Sequence, residues 1–159
     1  MSNEVSINIS IKPTWSLVKE IQAKAEAFMN EQGKGKDVIE ATLMCVTELI
    51  ENAVKYGSEK PDGSNIDFDL KADSGHMKII VTNGIRNESD IDVVVDHIKK
   101  IKNSNDPAQL YTERLMELME NPKPGISQLG LYRIAYEGEF KIDYTYSNHI
   151  FTIIAEREI

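Results

Sequence analysis

Thr47-Glu48-Leu49-Ile50-Glu51-Asn52-Ala53-Val54-Lys55-Tyr56-Gly57 reads as the closing turns of a helix and frames everything around it. Glu48 and Asn52 are four residues apart, so they share one face, and a carboxylate and a carboxamide can converge on one bound object. Lys55 continues that polar row by one more turn. Val46, Leu49 and Ala53 lie on neighbouring faces, an apolar flank that an ordinary surface helix does not need. Glu51 and Lys55 are also spaced i,i+4, a surface pairing worth roughly 0.2–0.5 kcal/mol. The row therefore has two readings from spacing alone, a ligand-facing set and a solvated helix surface.

Upstream, Asp37 is the expected cap of this helix, and Val38, Ile39, Leu43, Val46, Leu49, Ile50 and Ala53 carry it to a stop at Gly57. It is apolar on more than one side, as expected of a helix held between layers. Before it, Val5, Ile7, Ile9 and Ile11 alternate with Ser6, Asn8, Ser10 and Lys12, a period of two that predicts a strand ended by Pro13. Thr14 is the expected N-cap of a helix with Trp15, Val18, Ile21, Ala25 and Phe28 on one face, ending at Gly33 and Gly35.

Downstream, Lys60-Pro61-Asp62-Gly63 predicts a turn. Ile66, Phe68, Leu70 and Ala72, then Met77, Ile79 and Val81 across Asp73-Ser74-Gly75, predict an antiparallel hairpin whose second strand ends at Asn83-Gly84. Two helices are expected between Ile85 and Gly125. The first opens with Asp90 and Asp92, lines one face with Ile91, Val94, Ile98 and Ile101, and closes with Lys99, Lys100 and Lys102. The second is capped by Asp106 with Pro107 at its first position, and Tyr111, Leu115 and Leu118 form its apolar face. Asn121-Pro122-Lys123-Pro124-Gly125 breaks the chain. A last helix is expected from Gln128 to Glu137 with Gly138 as its C-cap, and within Ser127-Gln128-Leu129-Gly130-Leu131-Tyr132 the glycine near a helix N-terminus lets backbone N–H groups approach an anion or lets the helix pack closely. Phe140 to Ser147 and Ile150 to Glu156 close the chain as a hairpin turned by Asn148-His149, its second strand central. Val5 to Ile11 is the expected sheet edge.

The 159 residues with 41% hydrophobic content suit a single domain, 1–159, with 85–125 as an insert within it. No stretch reaches the roughly 20 apolar residues of a membrane span, and the start lacks a basic region followed by an apolar one, so a cytoplasmic protein is expected. A net charge of −8 opposes binding to a phosphate backbone. The lone Cys45 is expected to pack in the core. His76, His97 and His149 have no ligand spacing and are expected to be surface or structural.

With both strings placed, the chain resembles the GHKL (histidine-kinase-like, Bergerat) ATPase superfamily, and within it the anti-sigma factor serine/threonine kinases. Glu48-Leu49-Ile50-Glu51-Asn52-Ala53-Val54-Lys55-Tyr56-Gly57 matches the N box, Glu-Leu-x-x-Asn-Ala-x-x-His-Gly. The resemblance implies an α+β fold, a two-layer α/β sandwich with a mixed, mostly antiparallel sheet covered on one face by helices and a helical insert in the lid position. It implies ATP and Mg2+ as cofactors, with Glu48 as general base, Asn52 as metal ligand, and Lys55, Asn83, Gly84, Gly130 and Leu131 around the nucleotide.

Three departures from the family pattern stand out. Asn83 occupies the place of the adenine-binding aspartate, with Arg86 near where a glycine belongs. Gln128 replaces the first glycine of the second box, and the lid region reads as two amphipathic helices. The implied function is therefore a signalling protein that holds a partner, a sigma factor or an anti-sigma-antagonist-like domain, with weakened or lost ATP binding. The alternative is an active Mg-ATP-dependent kinase of that type. A homodimer is implied by analogy. A third reading keeps Glu48, Asn52 and Lys55 as a satisfied polar cluster within the fold.

Overall fold

Six strands form one sheet in the order β1-β3-β4-β6-β5, with a short β2 added beside β4, and the helices cover one of its faces. In chain order these are β1 (Val5–Ile11), a 3-10 turn (Trp15–Leu17), α1 (Val18–Glu31), α2 (Lys36–Tyr56), β2 (Gly57–Ser58), β3 (Ile66–Ala72), β4 (His76–Ile85), α3 (Glu88–Lys102), α4 (Pro107–Glu120), α5 (Leu129–Tyr136), β5 (Lys141–Ser147) and β6 (Ile150–Glu158). The computed structural model describes residues 4–12, 14–121 and 129–159. The expected break at 122–125, the proline stop at Pro13 and the helix start at Gln128 lie outside the described residues.

Alternation in the sequence becomes the two faces of the sheet. Ile66, Phe68, Leu70 and Ala72 of β3, Met77, Ile79 and Val81 of β4, and Phe151, Ile153 and Ala155 of β6 are buried under the helices. Their odd-numbered or even-numbered neighbours, such as Asp67, Asp69 and Thr152, face away. The register places Phe68 opposite Val81 and Val81 opposite Ile153, so one apolar row crosses three strands. β6 lies between β4 and β5, and β1 forms one edge, both as expected. The two-layer α+β fold is as expected, and among the described residues every strand pair is antiparallel, where a mixed, mostly antiparallel sheet was expected.

α2 packs against α1, α5 and β4, and Cys45, Val46, Leu49, Ile50, Ala53 and Val54 are buried along it. Its N-cap is Gly35, which leaves Asp37 in the first turn as a favourable charge at the positive helix end. Thr14 stands at the N-cap of the 3-10 turn, as expected, without a side-chain capping hydrogen bond, and Trp15 sits on that turn at 57% exposure, outside the apolar face expected of it. β4 runs through Asn83-Gly84 to Ile85, because β2 pairs with it there and extends the ladder.

The two helices expected after Ile85 form, with Asn87 as the N-cap of α3 and Asp106 as that of α4. α5 is closed by N–H groups of Glu137 and Gly138 returning to the Arg133 carbonyl, and the left-handed residue is Glu139 (φ 57°), not Gly138. Asn148 and His149 both have positive φ (52° and 62°), the backbone that a two-residue hairpin requires.

Candidate functional site

Two of the residues singled out above, Asn52 of α2 and Asn83 of β4, meet on one void between α2, the sheet and α3. Its remaining wall is apolar: Leu49, Ala53 and Tyr56 from α2, Val81, Phe151 and Ile153 from the sheet, and Ile91 and Val94 from α3. The void holds about 10 Å3, about the lower limit for a single water. Ile91 and Val94 are 3% and 2% exposed. They belong to the buried side of α3, the face formed by Ile91, Val94, Ile98 and Ile101.

The upper wall of this region is built by close backbone approach. The Asn83 carboxamide, 4% exposed, donates to the Gly84 carbonyl at 2.7 Å. A Cβ on Gly57 would stand 2.4 Å from the Ala53 carbonyl oxygen and 2.7 Å from Asn83 Nδ2, so the glycine that follows α2 makes room for Asn83. A Cβ on Gly84 would lie 2.0 Å from the Glu59 carbonyl oxygen and 2.7 Å from its carbon. Gly84 is thus committed to the packing of β2 and the following loop. Arg86 Nη2 donates to the Val54 carbonyl at 3.4 Å, which ties the end of β4 back to α2.

Glu48 sits one turn earlier on α2, against α5. A Cβ on Gly130 would fall 1.9 Å from Glu48 Oε2, so the glycine in the second string gives way to the carboxylate of the first. Arg133, three residues along the same helix, donates to Glu48 Oε1 at 3.4 Å and to Glu137 at 3.1 Å. Burial pushes the Glu48 carboxyl above its usual range, Glu51 and Glu137 add to the rise, and Arg133 and Lys55 oppose it. Desolvation wins because Arg133 is part-exposed and shared between two carboxylates.

The structure thus brings together Glu48 with Gly130, and Asn52 with Asn83. Leu131 is fully buried in the core and presents no side chain to a ligand. Lys55 is exposed, its ammonium 5.5 Å from the Tyr56 ring centroid, and leaves the polar row. Sequence reasoning missed Arg133, although its i+3 spacing from Gly130 signals the same helix face. It also missed the node between α3 and α5, where His97 Nδ1 and the Tyr132 hydroxyl are 2.6 Å apart. Burial pulls the His97 pKa down, and Arg114 and Lys100 pull in the same direction.

The described residues beside Asn52 do not fit Mg-ATP in this arrangement. Pockets that take organic ligands have about 300–1,000 Å3, and magnesium seeks oxygen ligands. The void beside Asn52 has no such room, and no carboxylate lies on its wall. Among the described residues, no group of three or more His, Cys, Asp or Glu side chains is placed to hold a metal ion. No described helix is long and apolar enough to cross a membrane.

No family model matches the sequence, and no curated protein matches it. Solved structures do match the fold. A chain in the crystal structure of the SiaB-SiaC complex from Pseudomonas aeruginosa aligns with a TM-score of 0.68 at 15% identity, over 96% of this chain and 88% of that one. The RsbU and RsbW domains of Rv1364c from Mycobacterium tuberculosis align with a TM-score of 0.56 at 13% identity, over 97% of this chain and 32% of that one. At such identities the likeness is one of fold alone.

Proposed function

We propose that this protein is a cytoplasmic regulator of the anti-sigma factor type that works by holding a partner protein and has given up nucleotide chemistry. The observation that carries the reading is the filled cleft: Ile91 and Val94 of α3 occupy the space beside Asn52 and Asn83. Both glycine-box positions are spent on packing, Gly84 against the Glu59 backbone and Gly130 against Glu48. The fold likeness to a chain of a protein–protein complex, SiaB-SiaC, supports a partner-holding role. A sigma factor or an anti-sigma-antagonist-like domain is the partner class that the resemblance implies.

One observation favours the alternative, an active serine/threonine kinase. Glu48 is a half-buried carboxylate with a raised pKa beside Gly130, which suits a general base. Thermal unfolding with magnesium and ATP, run beside Asn52→Ala, separates the two. A micromolar site at millimolar ATP stabilises by about 4 kcal/mol, a Tm rise of roughly 8–16 °C in a domain of this size. We expect no rise. A dose-dependent rise that disappears in Asn52→Ala overturns the first reading in favour of the kinase.

A further inference from the structure

We propose that one flank of α4, carrying Leu115, Met116 and Met119, is the docking surface for a basic amphipathic helix of a partner protein. The proposal rests on the partner-holding reading above and assigns its surface. α4 buries none of its residues among those described, although its sequence is amphipathic. Leu115 is 37% exposed, Met116 56% and Met119 74%. Leu115 and Met119 are four residues apart and Met116 and Met119 three, so the three share a side. Tyr111 packs against exposed Tyr136 of α5, the rings tilted by 39° with centroids 5.5 Å apart, and carries apolar surface across to that helix. Isolated exposed apolar groups are ordinary, but a contiguous set beside an aromatic pair marks an interaction face. Methionine adapts its shape to what it meets.

The charge pattern selects the occupant. Glu113, Glu117 and Glu120 follow one another at four- and three-residue spacing along the other exposed side of α4, and all three are exposed. Glu113 accepts from Gln109 and Glu117 from Arg114, both contacts within the helix, so the carboxylates stay at the surface. Beyond Tyr136 the exposed Glu137 and Glu139 are paired with Arg133 and Arg157, so the acidic edge is the one carried by α4 itself. An apolar strip edged by carboxylates complements a helix with an apolar stripe edged by Lys or Arg. A second copy of this chain is a poor occupant, because a symmetric contact sets acidic rim against acidic rim in a protein of net charge −8.

The test uses the whole chain with methyl-labelled methionine, followed by NMR while a helical Leu/Lys peptide of the length of α4 is added. A Leu/Glu peptide of the same pattern is the control. The Met116 and Met119 methyls are expected to move with the Leu/Lys peptide, while Met29 and Met77, both fully buried, stay in place. Glu113→Lys, Glu117→Lys and Glu120→Lys together, or Met116→Ser and Met119→Ser together, are expected to weaken binding about tenfold or more. The proposal fails if the Leu/Lys peptide leaves both methyls unmoved, if the Leu/Glu peptide binds as well, or if neither variant weakens binding. It also fails if the methyls shift with protein concentration alone, which assigns the face to a second copy. ATP-dependent stabilisation with these methyls responding as expected removes the nucleotide claim and leaves this surface standing.

Discussion

Ile91→Ala tests whether α3 truly belongs in the cleft. The side chain is 3% exposed and lines a void of about 10 Å3. Truncation removes about three methylene equivalents, each worth about 0.8 kcal/mol of transfer, or roughly 2.4 kcal/mol together. The walls are α2 and the sheet, which are held by their own packing and collapse little, so a cavity term is added at about 24 cal/mol per Å3. A total loss of about 3–4 kcal/mol is expected, a large share of the roughly 5–15 kcal/mol of a folded domain. Equilibrium urea unfolding measures it as a fall in midpoint at constant slope. Met119→Ala on the exposed side of α4 serves as the control and should change stability by no more than about 0.5 kcal/mol. A loss below about 1 kcal/mol for Ile91→Ala refutes the reasoning, since a side chain that can be truncated so cheaply is not filling the space beside Asn52. Val94 lines the same void, so the double variant is expected to depart from additivity.

Two further substitutions probe the polar and glycine positions. Gly84→Ala places a Cβ 2.0 Å from a backbone oxygen that only a shift of the Glu59 loop can relieve, and a loss above about 2 kcal/mol is expected in the same urea assay; unchanged stability means that Gly84 is not packed there. Glu48 has its folded pKa raised above the unfolded value, so the protonated form favours the fold, and that contribution is complete below the unfolded pKa and is lost as pH rises through the folded one. Glu48→Gln, which keeps an acceptor for Arg133, is accordingly expected to gain on wild type between pH 4 and pH 8, by an amount approaching zero below about pH 4. A variant less stable than wild type at pH 8 shows instead that the Arg133 ion pair outweighs the burial of the carboxylate.

Periodicity carried most of the fold. The alternation in Ile66 to Ala72, Met77 to Val81 and Phe140 to Tyr146 left one face apolar, and a strand can bury that face in one way only. The caps Asp106 and Asn148-His149 were legible because their chemistry is local. Asp37 was misread as a cap because Gly35, two residues earlier, takes that position and leaves the aspartate in the first turn, whereas Thr14 does stand at the N-cap of the 3-10 turn and the Gly138 N–H does close α5, with the left-handed backbone one residue later at Glu139. The mixed sheet was inherited from the resemblance, and no register information in the chain could test it.

The polar row on α2 shows where the sequence stops. Spacing was sufficient to place Glu48 and Asn52 on a common helix face, since helix geometry alone sets it. It could not say what stood opposite. That depended on residues up to 85 positions away in the chain: Arg133 and Gly130 around Glu48, and Ile91 and Val94 over Asn52. A motif records which groups a chain can offer, through local periodicity. Whether a cleft between two layers is open or filled is a matter of volume, and volume is set by side chains that meet only after the chain has folded.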